Sequence, residues 1–118
     1  MPLRIALTGS TPPADQIRDQ IRGLVTTGRL GAGERLPSVR QLSADLGVAA
    51  GTVAKAYRSL EADGVLASRI GSGTRVSTTA GAAPHAVVES AQGLARAGRE
   101  AGVDVDEAVR VLRAVWGD

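Results

Sequence analysis

Several residue types that build catalytic and binding sites are absent or rare in this chain of 118 residues. There is no cysteine, which excludes disulfides, thiolate metal sites and cysteine nucleophiles. His85 is the only histidine, and one imidazole cannot build a histidine-based metal site or a pH switch of paired histidines. Tyr57 and Trp116 are the only aromatic residues, which argues against binding of single strands by base stacking. We therefore expect no enzymatic activity, no metal and no cofactor.

Long apolar runs are missing as well. No run approaches the roughly 20 residues that a membrane-spanning helix needs, and no secretory signal peptide opens the chain. We expect a cytoplasmic protein with no membrane partner. The length predicts about one domain, and apolar residues, at 43%, are sufficient for a modest core.

Positive charge is concentrated in the first part of the chain. A stretch rich in threonine, alanine, glycine and proline begins at Thr78, and we place a domain boundary before it. Residues 1–77 carry ten basic and six acidic side chains, a net charge of +4, whereas residues 78–118 carry four and six, a net charge of −2. The first segment is therefore a candidate polyanion-binding domain, although the same charges are equally compatible with a solvated surface.

The chain opens with the patterns of a strand and a helix. Apolar residues alternate with others over residues 3–8, which predicts a short edge strand. Pro13 suits the first position of a helix, and an apolar stripe predicts that this helix ends near Gly28. The stripe consists of Ile17, Ile21, Leu24 and Val25.

The middle of the chain has the pattern of a helix-turn-helix. Ser38 is a typical N-cap, and Gln41 follows three residues later as in a capping box. That helix is short, because Gly47 has the position of a left-handed C-cap. A second helix is predicted over residues 52–63, and two short helices joined by a tight glycine-containing turn are typical of a helix-turn-helix. Its predicted inner face consists of Val53, Ala56, Tyr57 and Leu60, where the alternative for Tyr57 is a hydroxyl at a phosphate.

A β-hairpin is predicted directly after these helices. Residues 65–69 and 74–77 have the composition of strands, and the glycine-rich segment 70–73 supplies the turn. A hairpin that follows a helix-turn-helix is a wing. The glycines do not indicate a nucleotide-binding loop, because no Lys-Ser or Lys-Thr step follows them.

The remaining residues are predicted to form an α-helical hairpin. Gly102 ends its first helix. Asp104, with Glu107 three residues later, is a typical N-terminal cap of the second helix. The charges of Asp104, Asp106 and Glu107 are favourable at this helix start, with a metal site as the alternative. The second helix carries an apolar stripe that a lone hairpin would leave in water. We therefore expect this tail to mediate a homodimer. The residues predicted at the dimer interface are Val87, Ala91, Leu94, Val105, Val109, Leu112 and Trp116.

Two runs, Leu36–Val48 and Gly51–Leu66, resemble the GntR family of bacterial transcription regulators, and the wing sequence 71–76 continues the match. The two-helix tail resembles the YtrA subfamily. The resemblance implies a fold that is mainly α with a small β wing: a winged helix-turn-helix over residues 1–77, followed by an α-helical hairpin over residues 78–118. It also implies a dimeric repressor that binds double-stranded DNA at a palindromic operator, often that of a transporter operon.

The resemblance also implies which residues contact DNA. Arg35, just before the Leu-Pro-Ser step, resembles a family residue that contacts a DNA phosphate. Arg40 matches the family's arginine that reaches DNA, and Thr52 matches a threonine at the start of the recognition helix. The full set of predicted DNA-binding residues is Arg35, Ser38, Arg40, Ala50, Gly51, Thr52, Lys55, Arg58, Gly71, Ser72, Gly73 and Arg75.

One departure from the family pattern bears on specificity. Many relatives have Ser-Arg where this chain has Ala49 and Ala50. An arginine there pairs bidentately with guanine. Its absence makes methyl contact to thymine, or readout of DNA shape, relatively more important.

Two other functions remain as alternatives at this stage. A winged helix can bind a protein instead of DNA, and salt-dependent binding to duplex DNA separates that function from the main one. The MocR subfamily fuses a similar DNA-binding part to a pyridoxal-phosphate aminotransferase domain, and from the 118 residues of this sequence we expect no such domain. The operator, the regulated genes and a possible small-molecule effector are not specified by the sequence.

Overall fold

The computed structural model describes residues 3–69, 71, 73–78 and 83–117. The chain divides into two compact units, Met1–Ala82 and Ala83–Asp118. The elements in the described residues are α1 (Pro13–Thr26), α2 (Val39–Leu46), α3 (Ala50–Ala62), β1 (Leu66–Arg69), β2 (Gly73–Val76), α4 (His85–Ala101) and α5 (Val105–Trp116). The predicted fold class is confirmed, and no helix among these residues is long and apolar enough to cross a membrane.

The N-terminal segment differs from the prediction, because residues 3–8 do not form a strand. Side chains of α1 provide the hydrogen bonds that a neighbouring strand would otherwise supply. The Gln20 carboxamide donates to the carbonyl of Ala6 at 2.7 Å and accepts from its N–H at 3.0 Å. One turn earlier, Gln16 Oε1 accepts from the N–H of Thr8 at 2.8 Å. The alternating apolar residues of this segment still pack against the core: they are Leu3, Ile5 and Leu7.

The N-cap and the C-cap predicted for the first helix of the helix-turn-helix are confirmed. The Ser38 hydroxyl accepts a hydrogen bond from the N–H of Gln41 at 3.0 Å, which caps α2. Gly47 ends that helix with φ at +69°, a left-handed conformation that glycine adopts at little cost. α3 begins at Ala50, two residues earlier than predicted, because Ala49 is already extended and the chain turns into the helix directly after it.

The wing contains one more extended segment than the sequence predicted. β1 and β2 pair antiparallel, with Leu66 opposite Val76. On the other side of β2, Arg35 forms an isolated antiparallel bridge with Arg75. The N–H of Leu36 donates to the Thr74 carbonyl at 2.9 Å, which extends this pairing. The segment was missed because a single bridge is too short to show a period of two.

The core of the first unit is built from one face of each helix. The inner face predicted for α3 is confirmed, and all four residues are buried. Tyr57 is one of them: its hydroxyl donates to the carbonyl of Pro37 at 2.7 Å, and burial raises the pKa of this phenol. That hydroxyl therefore forms a structural hydrogen bond, which links α3 to the segment that leads into α2.

We expect Tyr57→Phe to lower the free energy of unfolding by about 1–2 kcal/mol, because the carbonyl of the half-buried Pro37 loses its donor. Urea unfolding at neutral pH measures this change. Thr27→Val is the matched control, since it removes an exposed hydroxyl that donates to the Gly23 carbonyl at 2.8 Å and should cost less. Equal stability of Tyr57→Phe and the wild type would contradict the assigned role.

The second unit is a pair of helices that buries none of its described residues. Gly102, with φ at +72°, ends α4 as predicted. The Asp104 carboxylate accepts from the N–H of Glu107 at 2.8 Å, so the predicted cap of α5 is confirmed. Large apolar side chains remain in water on this unit, with Trp116 79% and Val105 74% exposed.

Candidate nucleic-acid interface

The outer surface of α3 presents a row of predicted DNA-binding residues. Gly51, Lys55 and Arg58 are exposed and lie at i, i+4 and i+7, opposite the buried face of the helix. Ala50 is exposed in the first turn, and Thr52 is half-buried beside it. The first turn of α3 therefore presents small side chains, and its positive charge begins only at Lys55.

The start of α2 contributes two further predicted residues. Arg40 is exposed in the first turn of the helix, and its guanidinium has no ion-pair partner among the described residues. Ser38 is also exposed, and its oxygen accepts the capping bond from Gln41. Because a hydroxyl donates as well as accepts, Ser38 keeps a proton for an external acceptor.

The wing brings together residues that are far apart in the sequence. Arg35 and Arg75 face each other across the sheet, and Arg75 Nη1 donates to the Gly33 carbonyl at 3.2 Å. Gly71 is exposed with φ at +87°, in the turn between the strands. Ser72 lies outside the described residues, so its predicted contact stays a prediction.

A groove of about 550 Å³ connects the wing to the start of α2. Three predicted residues, Arg35, Ser38 and Gly73, line this groove together. Asp45 is the acidic side chain in its wall. The structure thus brings part of the wing and the α2 cap to one surface, whereas Lys55 and Arg58 lie on the outer row of α3.

Basic residues of α1 form ion pairs with carboxylates, whereas the basic residues of the candidate interface do not. On α1, Arg18 pairs with Asp15 and Asp19, and Arg22 pairs with Asp63. Within the described part of the chain, no carboxylate pairs with any basic residue of α2, α3 or the wing. These unpaired residues are Arg35, Arg40, Lys55, Arg58, Arg69 and Arg75. Their charges are available to an external anion.

Arg69 was not among the predicted DNA-binding residues, although it is exposed at the end of β1, opposite Gly73. Its signal in the sequence was weak: it is one more arginine ahead of a glycine-rich turn. Arg69 and Arg35 come to the same sheet only because β2 pairs with β1 on one side and with residue 35 on the other.

The predicted dimer-interface residues are distributed unevenly on the tail. Val109, Leu112 and Trp116 line a hollow of about 490 Å³ on α5, together with Arg113 and Gly117. Leu94 is half-buried within the helix pair, so it contributes less free surface than predicted. The other predicted residues are exposed, namely Val87, Ala91 and Val105. Val111 is also exposed, at 49%, and was not predicted.

Among the residues that the structure describes, no group of three or more histidine, cysteine or acidic side chains is arranged to hold an ion. The carboxylate of Asp104 is used as a helix cap, in agreement with the interpretation of the acidic residues at the start of α5.

A helix-turn-helix followed by a β wing, with unpaired basic side chains on both, defines a winged-helix DNA-binding regulator. Comparison with known proteins supplies the family. The family model of bacterial regulatory proteins, gntR family, matches residues 13–76. The chain belongs to this family.

Two relatives and one solved structure illustrate the similarity. The HTH-type transcriptional regulator Rv1152 of Mycobacterium tuberculosis is 40% identical over 118 residues, covering 98% of this chain and 95% of the relative. The HTH-type transcriptional repressor YtrA of Bacillus subtilis is 37% identical over 78 residues, covering 66% of this chain and 60% of YtrA. The AraR DNA-binding domain in complex with operator ORX1 has 26% identity and a TM-score of 0.57, over 65% of this chain and 99% of that one. The resemblance to YtrA-type regulators is confirmed.

Proposed function

We propose that this protein is a homodimeric repressor that binds a palindromic operator in cytoplasmic DNA. α3 lies in the major groove, and the wing contacts the adjacent minor groove or backbone. The observation that carries this proposal is the exposed row of Gly51, Lys55 and Arg58 on α3, opposite the core face and without an acidic partner in the described residues.

The contacts divide into two kinds. Arg35 in the wing neutralises a phosphate, and Ser38 donates its remaining proton to the backbone of DNA. Arg40 and Lys55 reach base edges, since they lie on the two helices of the helix-turn-helix. Phosphate contacts set position and base contacts set sequence preference. The remaining predicted residues approach DNA through backbone or short side chains: they are Ala50, Gly51, Thr52, Gly71, Ser72 and Gly73. Arg58 and Arg75 add positive charge at the edges of this surface.

The tail supports dimerisation by its exposed apolar face. Burial of each large side chain contributes about 1.5–3 kcal/mol, and α5 leaves Leu112 and Trp116 in water within its own unit. Pairing with a second copy covers this face and supplies two recognition helices, which match the two halves of a palindrome. Under this proposal, residues 1–77 bind DNA and residues 78–118 mediate dimerisation.

Repression follows from occlusion of the promoter by the bound dimer. The name of the YtrA relative supports this direction of control, since that protein is a transcriptional repressor. The complex of AraR with its operator supports double-stranded DNA as the partner.

Selection of bound fragments from the host genome, followed by titration of a selected duplex, tests the proposed function. We expect one enriched palindrome, bound more tightly than random duplex, with an affinity that falls as salt is raised. Binding without sequence preference, or no binding to duplex DNA, would overturn the proposal. The second outcome would favour a protein-interaction module.

Ala50→Arg is expected to change the preferred base within each half-site toward guanine, because an arginine at this exposed position reaches the O6 and N7 acceptors. Selection from a randomised half-site measures the change. Ala62→Arg adds the same charge at the far end of α3 and serves as the control. An unchanged preference in Ala50→Arg would mean that position 50 does not face the groove.

A further inference from the structure

The outer face of the wing sheet collects arginine side chains from separate segments. In the antiparallel register, Ala67 is opposite Arg75 and Arg69 is opposite Gly73, so these residues share one face. The opposite face is directed to the core, where Leu66 and Val76 are buried. The outer face is therefore free, and its long side chains are arginines.

Arg35 reaches this face from the segment on the other side of β2. Its guanidinium lies over Gly73: a Cβ atom at Gly73 would lie 3.3 Å from Nη2 and 3.4 Å from Nε of Arg35. An added Cβ atom would require this guanidinium to shift by a few tenths of an ångström. Gly73 therefore provides the space in which the Arg35 guanidinium rests.

Arg69 belongs to β1, the strand that pairs with the other side of β2. It is paired with Gly73 in the register, and neighbouring strands are separated by about 4.8 Å. Arg75, in contrast, is directed to the Gly33 carbonyl. Gly73 thus has the Arg35 guanidinium against it and Arg69 as its register partner on β1.

No carboxylate forms an ion pair with Arg35 or Arg69 among the described residues; Asp45 lies in the wall of the groove that Arg35 lines, but it is not paired with Arg35. Glu61 accepts a hydrogen bond from Ser68, whose side chain is on the other face of the sheet. Glu34 accepts from the N–H of Gly31. Both arginines are exposed and carry unpaired positive charge on the same face of the sheet, so an anion bound against this face is attracted to both.

We propose that Arg69 and Arg35 bind neighbouring phosphates of one DNA strand across Gly73, with Gly73 as the positioning residue for Arg35. The guanidinium fork matches phosphate oxygens in pairs. This inference rests on the proposed function and adds to it a second phosphate contact in the wing, made by Arg69.

The salt dependence of duplex binding tests this site in the full-length protein. Each lost phosphate contact lowers the slope of log affinity against log salt by about 0.9. When salt is raised from about 50 to about 200 mM, the affinity of the wild type for duplex DNA is therefore expected to fall by a factor about three- to four-fold larger than that of Arg69→Ala. Arg69→Lys should keep the wild-type slope, because it keeps the charge. The control Arg29→Ala removes an exposed, unpaired arginine elsewhere and should also keep it.

A pair of glycine variants tests the positioning role. Gly73 and Gly64 have the same φ of +76°, but a Cβ atom at Gly64 meets nothing within 4 Å. Gly73→Ala and Gly64→Ala therefore share the backbone strain, and only Gly73→Ala places a Cβ atom against the Arg35 guanidinium. We expect Gly73→Ala to reduce the salt slope, by less than Arg35→Ala does, and Gly64→Ala to leave it unchanged.

The outcomes separate the inference from the proposed function. A wild-type protein that does not bind duplex DNA would remove the proposed function, and this inference with it. A wild type that binds, together with an Arg69→Ala variant of unchanged slope, would overturn the Arg69 contact alone. Equal slopes for Gly73→Ala and Gly64→Ala would overturn the positioning role of Gly73.

Discussion

A chain truncated after Thr79 is expected to sediment as a monomer and to bind the operator about 10²- to 10⁴-fold more weakly than the intact protein. The physical reason is that a dimer holds its second recognition helix at high effective concentration near the second half-site. The truncated chain should keep its own fold, because the buried apolar residues of the described chain all lie between Ala14 and Val76. Analytical ultracentrifugation and operator titration measure the two effects.

Trp116→Ala tests the same interface with a single side chain. Its indole is 79% exposed within the helix pair and lines the hollow on α5. We expect the variant to shift toward monomer while the melting of the first unit stays unchanged. Arg110→Ala is the control, since Arg110 is exposed on the other side of the same helix. If the truncated chain dimerises as tightly as the intact one, the tail is not the interface.

Arg40→Ala is expected to weaken operator binding by about 1–3 kcal/mol, which corresponds to about 5- to 150-fold, if Arg40 contacts a base. Binding to random duplex should change much less, because base contacts set preference and phosphate contacts set position. Competition titrations with operator and random DNA measure the ratio.

Arg35→Ala provides the matched comparison. It removes the same charge from the wing, and we expect it to weaken all duplexes about equally and to lower the salt slope by about one unit. Indistinguishable effects of Arg35→Ala and Arg40→Ala on operator and random DNA would refute the assignment of a base contact to one and a phosphate contact to the other.

Caps and apolar periodicity were sufficient to predict the helices of this protein. Ser38 and Asp104 were identified as N-caps, and Gly47 and Gly102 as C-caps, because these signals depend on the backbone within one helical turn. The inner face of α3 was also predictable, since a period of 3.6 residues assigns side chains to a face before the helix packs.

The N-terminal segment shows where local pattern failed. The alternation over residues 3–8 predicts a strand, because this pattern depends only on the spacing of apolar side chains. It carries no information about whether a neighbouring strand is present to form hydrogen bonds. In the folded chain its hydrogen bonds come from the carboxamides of Gln16 and Gln20 on α1. Backbone groups must be satisfied, but which groups satisfy them depends on what packs alongside.

The candidate site likewise has one part that local sequence predicts and another part that only tertiary packing determines. The exposed row on α3 follows from spacing along one helix, so Lys55 and Arg58 could be assigned to a common face from the sequence. The arrangement of Arg35, Gly73 and Arg69 could not, because it arises when a single bridge at residue 35 and the strand β1 pair with opposite sides of β2. Helical contacts are set by residues three or four apart, whereas pairing between distant segments is set by packing of the whole unit.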